Sequence, residues 1–313
     1  MKQSLALSIH QRPVRRTASE IMANSRGQRR VSAVLRGLVW LAAFATAAVI
    51  LLLVGYILIT GIPNLSRDLF AWKFTTENQS MMPALINTLC ITVIALLLAV
   101  PIGMGAAIYL VEYAKRGNRL VKLVRLTAET LSGIPSIVYG LFGMMFFKVS
   151  LGWGYSMLGG AATLSIMILP LVLRTTEEAL LSVPDSYREG SFGLGAGKLR
   201  TVFSVILPPA MPGILSGVIL AIGRIVGESA ALIFTAGAGK DNLSFATKDG
   251  FSVFAPLFQS TRTLAVHMYL LMSEGLYTRQ AQATAVVLLV LVVGINALSG
   301  FAAKKLTKGN DHG

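Results

Sequence analysis

The apolar residues of this 313-residue chain are gathered into long blocks, and that pattern constrains everything else about how it can fold. Six blocks approach or exceed the roughly 18 to 20 residues an α-helix needs to cross hydrocarbon. They lie at 38–60, 83–111, 126–147, 157–173, 207–235 and 283–303, the fourth being the shortest. A bilayer offers no water to pair with backbone N–H and C=O groups, so each block must be helical or shielded by protein. Only 13% of the residues are charged, against about 25% in soluble domains. A soluble enzyme and a disordered chain are excluded, and Cys90, the single cysteine, excludes a disulfide scaffold. The expected fold class is therefore an all-α polytopic membrane protein with six transmembrane helices. Pro101, Pro135 and Pro170 fall within or near the ends of three blocks. Each frees backbone groups that neighbouring helices must satisfy, which predicts a packed bundle.

Charge orients the bundle. Twenty of the 28 Lys and Arg residues fall in the tail before the first block, the loops after blocks two and four, and the C-terminus; seven fall in the opposite loops. By the positive-inside rule both termini are cytoplasmic. The net charge of +14 thus reflects loops beside apolar spans and does not indicate a nucleic-acid partner. Some 36 mostly polar residues precede the first block, and that block is too long for the h-region of a secretory signal. The expected organisation is an unstructured basic tail over 1–36, a membrane domain over 37–306 and a short cytoplasmic tail over 307–313. The tail's basic residues suit topology and attraction to anionic lipid. No internal repeat is visible, which argues against a secondary transporter built from two related halves. The loop 236–281 is external on this topology. Its stretch 261–276 is apolar nearly all round and is open to three readings: interfacial, re-entrant or buried against the bundle. His267 within it reads as a structural residue.

Enzymatic signatures are scarce. With three histidines and one cysteine no His/Cys metal cluster can be assembled. The run from Gly193 to Lys198 superficially resembles a phosphate loop. It has Phe192 where the first glycine should stand, Leu199 in place of Ser/Thr, and no preceding strand. No nucleotide site is detectable, so any ATP and Mg must be used by another chain, and no cofactor is expected on this one. Glu129, Arg224 and Glu228 are ionisable residues inside spans, where a central charge costs about 2.5–3.5 kcal/mol. Arg224 and Glu228 are four apart, hence on one helical face if the span is continuous. They read either as an ion pair that lets both insert, or as a substrate path in which Arg224 meets an anion and Glu228 steadies the guanidinium. A guanidinium's planar fork of donors suits phosphate-like oxyanions. Gly213-x-x-x-Gly217 and Gly223-x-x-x-Gly227 predict close helix contacts. Glu129 reads as a charge near the cytoplasmic end of span three, and Arg174, at a span edge, as a topology charge.

The most informative segment lies between spans four and five, at 182–208. Pro184 and Asp185 start a short helix expected to run to about Phe192. Glycines 193, 195 and 197 break it, a second short helix follows from Lys198 towards Ser204, and Pro208-Pro209 is expected to turn the chain into span five. Helix, glycine turn and helix make a knob that another protein could grip.

This segment resembles the EAA loop of ABC-importer permeases, EAA-x3-G-x9-I-x-LP. Glu189-Gly190-Ser191 stands for EAA, Gly195 for its glycine, Val205 for Ile, and Leu207-Pro208 for LP, with both alanines replaced. The stretches Ser132 to Phe142, Leu169 to Glu177 and Gly223 to Ala230 resemble those of the PstA family, permease subunits of phosphate-specific ABC importers of type I. The resemblance covers about residues 38–306. It implies a permease of the bacterial inner membrane paired with a second, PstC-like permease, two PstB-like ATPase subunits and a periplasmic PstS-like phosphate-binding protein. It further implies that Arg174 and Arg224 are associated with phosphate transport, and that 182–208 couples to the ATPase. Three alternatives stay open: a permease for sulfate or molybdate, a membrane subunit acting mainly in phosphate signalling, and an integral-membrane enzyme.

Overall fold

The computed structural model describes residues 18–115, 117–247 and 250–308. Contacts divide the chain into Met1–Tyr56 and Ile57–Gly313. Helix α1 runs over Ala18–Gly61. The expectation of an unstructured tail over 1–36 is thus corrected for residues 18–36, which are helical; residues 1–17 lie outside the described part. Once the apolar block provides a helix, extending it N-terminally through Ala, Glu, Met, Gln and Arg needs only propagation, which is far cheaper than nucleation. Within the first unit the apolar side chains are exposed, Trp40 at 72% and Phe44 at 77%. A helix apolar on all sides requires lipid or another helix around it.

In the second unit the centre is built from α2 (Met82–Ile108), α5 (Met157–Leu181) and α8 (Leu207–Val226). Ile91, Ala95 and Ala99 of α2 pack on Leu164, Ile168 and Val172 of α5 and on Ala221 and Ile225 of α8. Ser165 adds a 3.0 Å hydrogen bond to the Ala95 carbonyl. Close approach comes from small residues, as expected where lipid supplies no hydrophobic drive between helices. A Cβ on Gly217 would stand 2.0 Å from Thr175 Oγ1, and one on Gly213 2.7 Å from Ala179 Cβ. The second glycine pair behaves differently. Among the described residues Gly223 has only Asn296 nearby, at 3.8 Å from where a Cβ would be, and Gly227 only the Gly223 carbonyl, at 3.6 Å. The close contact expected there is not made.

Among the described residues five helices are long and apolar enough to cross a membrane, or six where a bent pair is counted as one span. That pair is α3 (Arg119–Ser132) and α4 (Ser136–Gly143), the latter prolonged by a π-helical segment Met144–Ser150. They meet at 102°, so the straight span expected over 126–147 is corrected. Pro135 excludes Ile134 from helical geometry and Gly133 ends the preceding turn. Span five is broken too. After α8 the chain leaves helical geometry at Gly227–Ser229 and resumes as α9 (Ala230–Thr235). The sixth span lies in α11 (Thr278–Lys308).

The segment between α9 and α11 carries a two-residue antiparallel hairpin, β1 (Ala246–Thr247) with β2 (Gly250–Phe251), and α10 (Leu264–Ser273). Helix α10 is capped by Thr263, which accepts from the Val266 amide. It buries Leu264, Val266, His267 and Leu271 against the bundle, which decides among the three readings of 261–276. His267 is fully buried, edge-on to Phe74 with centroids 6.5 Å apart. Burial, reinforced by the Arg262 charge, pushes its pKa down to about 3, so the ring is neutral. Arg262 itself lies over the Phe74 ring at 4.5 Å.

Candidate functional site

The elbow between α5 and α8 is where backbone chemistry and side-chain chemistry converge. Helix α6 spans Asp185–Gly193, with Pro184 at its N-cap and Asp185 in its first turn, as the sequence predicts. Gly195 then takes φ +81°, a left-handed conformation that costs other L-residues about 1–2 kcal/mol. No atom lies within 4 Å of where its Cβ would be, so the demand for glycine is conformational and not steric. Helix α7 (Lys198–Arg200) restarts the chain and flows through a π-helical segment, Thr201–Ile206, directly into α8. The turn expected at Pro208-Pro209 is therefore corrected: residues Lys198–Val226 form one 29-residue helix. Two adjacent prolines lack the amides an α-helix would use, and the widened π turn just before them accommodates that loss.

One arginine holds this elbow to the bundle. Arg188 donates from Nε and Nη2 to the Glu112 carboxylate, the closest approach being 2.7 Å. It donates also to the carbonyls of Val183 (2.9 Å) and Leu180 (3.0 Å) and to Asp185 Oδ1 at 3.1 Å. Glu112 sits in the π-helical segment Tyr109–Tyr113 that ends α2. One guanidinium thus joins the ends of α2 and α5 to α6. Within the elbow the Ser191 and Thr201 hydroxyls meet at 2.8 Å, both buried, and Lys198 lies 5.0 Å above the Tyr113 ring. Among its exposed polar residues the elbow also presents apolar side chains: Leu194 is 92% exposed and Leu199 67%, with Tyr187, Phe192 and Phe203 about half exposed. Such a patch on a rigid mount marks an interaction site. Of the residues matched to the EAA pattern, Glu189, Gly190 and Gly195 are exposed, Ser191 is buried, and Val205, Leu207 and Pro208 are half-buried where the elbow rejoins the bundle.

The charged residues expected along a path are distributed otherwise than the sequence suggested. Arg224 is exposed in the last turn of α8, where a cation suits the helix dipole. Glu228 does not hold it. The break after Val226 removes the i,i+4 geometry, and Glu228 Oε1 instead accepts from the Ala231 amide at 3.1 Å, capping α9. Arg174 is exposed on α5 and pairs with Glu178 at 3.0 Å. Glu129, on α3, is exposed. Arg125 of α3 forms an ion pair with Glu177 of α5. Sequence reasoning missed the Glu112–Arg188 and Arg125–Glu177 pairs, having counted both arginines as topology charges. The one available signal was Asp185, three residues before Arg188 on α6.

Residues 99–309 match the family described as binding-protein-dependent transport system inner membrane component. The chain belongs to this family. It is similar to the probable ABC transporter permease protein YqgI of Bacillus subtilis, 38% identical over 87% of this chain and 96% of the relative. It is also similar to phosphate transport system permease proteins: PstA of Mycobacterium leprae, 35% identical over 68% of this chain and 67% of the relative, and PstA 1 of Mycobacterium tuberculosis, 42% identical over 49% of this chain but only half the relative's length. Among solved structures the fold resembles that of a bacterial alginate ABC transporter, with a TM-score of 0.63 at 15% identity over 89% of this chain and 99% of that one. It resembles the MetNI methionine transporter as well, with a TM-score of 0.59 at 21% identity over 75% of this chain and all of that one. The matched region contains the elbow and both candidate arginines. As a permease the chain is a multi-pass membrane transport subunit and not an enzyme.

Proposed function

We propose that this permease is the transmembrane subunit of an ATP-driven importer of inorganic phosphate. The observation that carries the substrate is its likeness, over two thirds of both chains, to a phosphate transport system permease. An importer of this family works with a second permease, an ATPase and a substrate-binding protein; here we assign these as PstC-like, PstB-like and PstS-like. Both termini are cytoplasmic by the distribution of basic loops. ATP and its Mg are handled by the ATPase, and no cofactor belongs to this chain.

Mechanically, the exposed apolar crown around Leu194 is the surface the ATPase grips. Displacement of α6 passes through Arg188 to the ends of α2 and α5 together, because one planar group bonds to all three. Arg224, exposed on α8 near the break in span five, and Arg174, steadied by Glu178, offer charge compensation to a passing anion. Glu228 contributes by fixing the geometry of the break. Weak, exposed cations suit a route that must release its ion.

The decisive experiment is radiolabelled phosphate uptake in cells lacking this chain, restored by the wild-type permease, with and without external sulfate. Restored uptake that sulfate does not compete supports phosphate. Restored sulfate or molybdate uptake without phosphate uptake would replace the substrate. A transport-dead variant that still signalled phosphate status would separate a signalling role from transport.

A further inference from the structure

Beneath the elbow lies a cavity of about 690 Å3 that the transport reading does not use. Its walls come from the end of α2, the start of α3, the end of α5 and the elbow. Five cations line it, Lys115, Lys122, Arg125, Arg188 and Lys198, against two carboxylates, Glu112 and Asp185. Both carboxylates are engaged by Arg188, Arg125 is paired with Glu177, and Lys198 rests over Tyr113. Among the described residues Lys115 and Lys122 form no ion pair, so positive charge is left over at the cavity. Asn118, also on the wall, caps the 14-residue α3 by accepting from the Leu120 amide at 3.0 Å, and the positive end of that helix adds to the field. Elsewhere on its surface α3 exposes Leu120, Leu123 and Leu126 at 55–61%. A helix that exposes both basic residues and leucines, and is bent 102° from α4, has the form of a segment lying in the membrane interface. The cavity is then at headgroup depth.

We propose that this cavity binds a phosphoryl anion, supplied by the headgroup of an anionic phospholipid. Lys115 and Lys122 provide the charge and the first turn of α3 the dipole. The site shares its wall with the Arg188 clamp, so occupancy stiffens the mount of the elbow. The inference does not depend on which substrate the permease carries.

The test uses the full-length protein in nanodiscs of phosphatidylcholine with increasing phosphatidylglycerol, followed by native mass spectrometry of retained lipid. Each lysine at such a surface is worth about a five-fold change in affinity for anionic lipid. The double variant Lys115→Gln/Lys122→Gln should therefore retain phosphatidylglycerol about 30-fold less well, with phosphatidylcholine unchanged and the circular dichroism spectrum preserved. Arg119→Gln, on the same helix but off the cavity wall, is the control and should cost no more than the about five-fold of a single surface charge. A second arm titrates inorganic phosphate into the detergent-solubilised protein. Displacement of phosphatidylglycerol by phosphate in the wild type, but not in the double variant, supports the phosphoryl site. Lysine-dependent binding of inorganic phosphate without lysine-dependent lipid retention would place the source in solution. Equal losses in the control and the double variant, or no loss in either arm, would overturn the proposal.

Discussion

Arg188 and Glu112 lie 76 residues apart in the chain and 2.7 Å apart in the fold, with side chains only 15% and 7% exposed. Removing one partner leaves a buried charge without compensation, which in comparable pairs costs about 3–5 kcal/mol. Arg188→Met is expected to loosen the elbow, raising hydrogen exchange over residues 184–200 and abolishing uptake while the chain still inserts. Adding Glu112→Gln should recover part of the stability but not the uptake, because the mechanical link is still missing. Uptake at wild-type level in Arg188→Met would show that the clamp does not transmit force.

Gly195 is required by backbone geometry alone. Gly195→Val should weaken co-purification of the ATPase, at a conformational cost of about 1–2 kcal/mol. Gly195→Asn should be milder, since asparagine tolerates the left-handed region better. Equal binding and uptake in all three proteins would remove the turn from the coupling surface.

Among the described residues Arg224, in the last turn of α8, forms no ion pair, so its charge can be removed without orphaning a partner carboxylate. Arg224→Gln is expected to abolish phosphate uptake with membrane insertion and ATPase association intact. Glu228→Gln should be tolerated far better, because an amide oxygen can still cap the Ala231 amide. If the two variants lost uptake equally, the carboxylate's charge would matter as well as its cap.

The neutral, buried His267 makes stability depend on acidity. Its pKa in the fold is about 3, well below the unfolded value near 6.5. Above pH 6.5 neither state binds the proton and stability is at its maximum. As pH falls below 6.5 the unfolded chain takes up a proton that the fold refuses, and stability declines until about pH 3. Between pH 7 and 5 the loss is about 2 kcal/mol. Thermal unfolding in detergent at pH 7 and pH 5 should show this decline. His267→Gln should flatten it, and an unchanged slope in that variant would assign it to other groups.

Gly217 packs against Thr175 with no room for a side chain. Gly217→Val should destabilise the α5–α8 contact by about 1–3 kcal/mol, lowering the detergent melting temperature. Gly223→Val, at the glycine pair that makes no close contact, should be nearly silent by comparison.

Much of the fold was legible before any coordinates. The apolar blocks announced the spans, Pro184-Asp185 and the three glycines drew the elbow, and Gly213-x-x-x-Gly217 marked a close contact. These features are local: length of an apolar run, a missing amide, a missing Cβ. Where legibility failed, the cause was competition between local rules. Apolarity argued for a straight third span, while Gly133 and Pro135 broke it at 102°. Two prolines argued for a turn before α8, while a π segment let the helix continue. Arg224 and Glu228 were spaced for pairing, until the break at Gly227 sent Glu228 to a backbone amide.

By itself, then, the sequence determined that this chain crosses a membrane several times and presents a glycine-broken knob on one side, because burial and backbone sterics act over a few residues at a time. Which charges meet was decided only by tertiary structure. Glu112 and Arg188, Arg125 and Glu177, and the lysines around the cavity are joined by helix ends that no sequence spacing brings together, and a charge at low dielectric takes its character from whatever the packing places beside it.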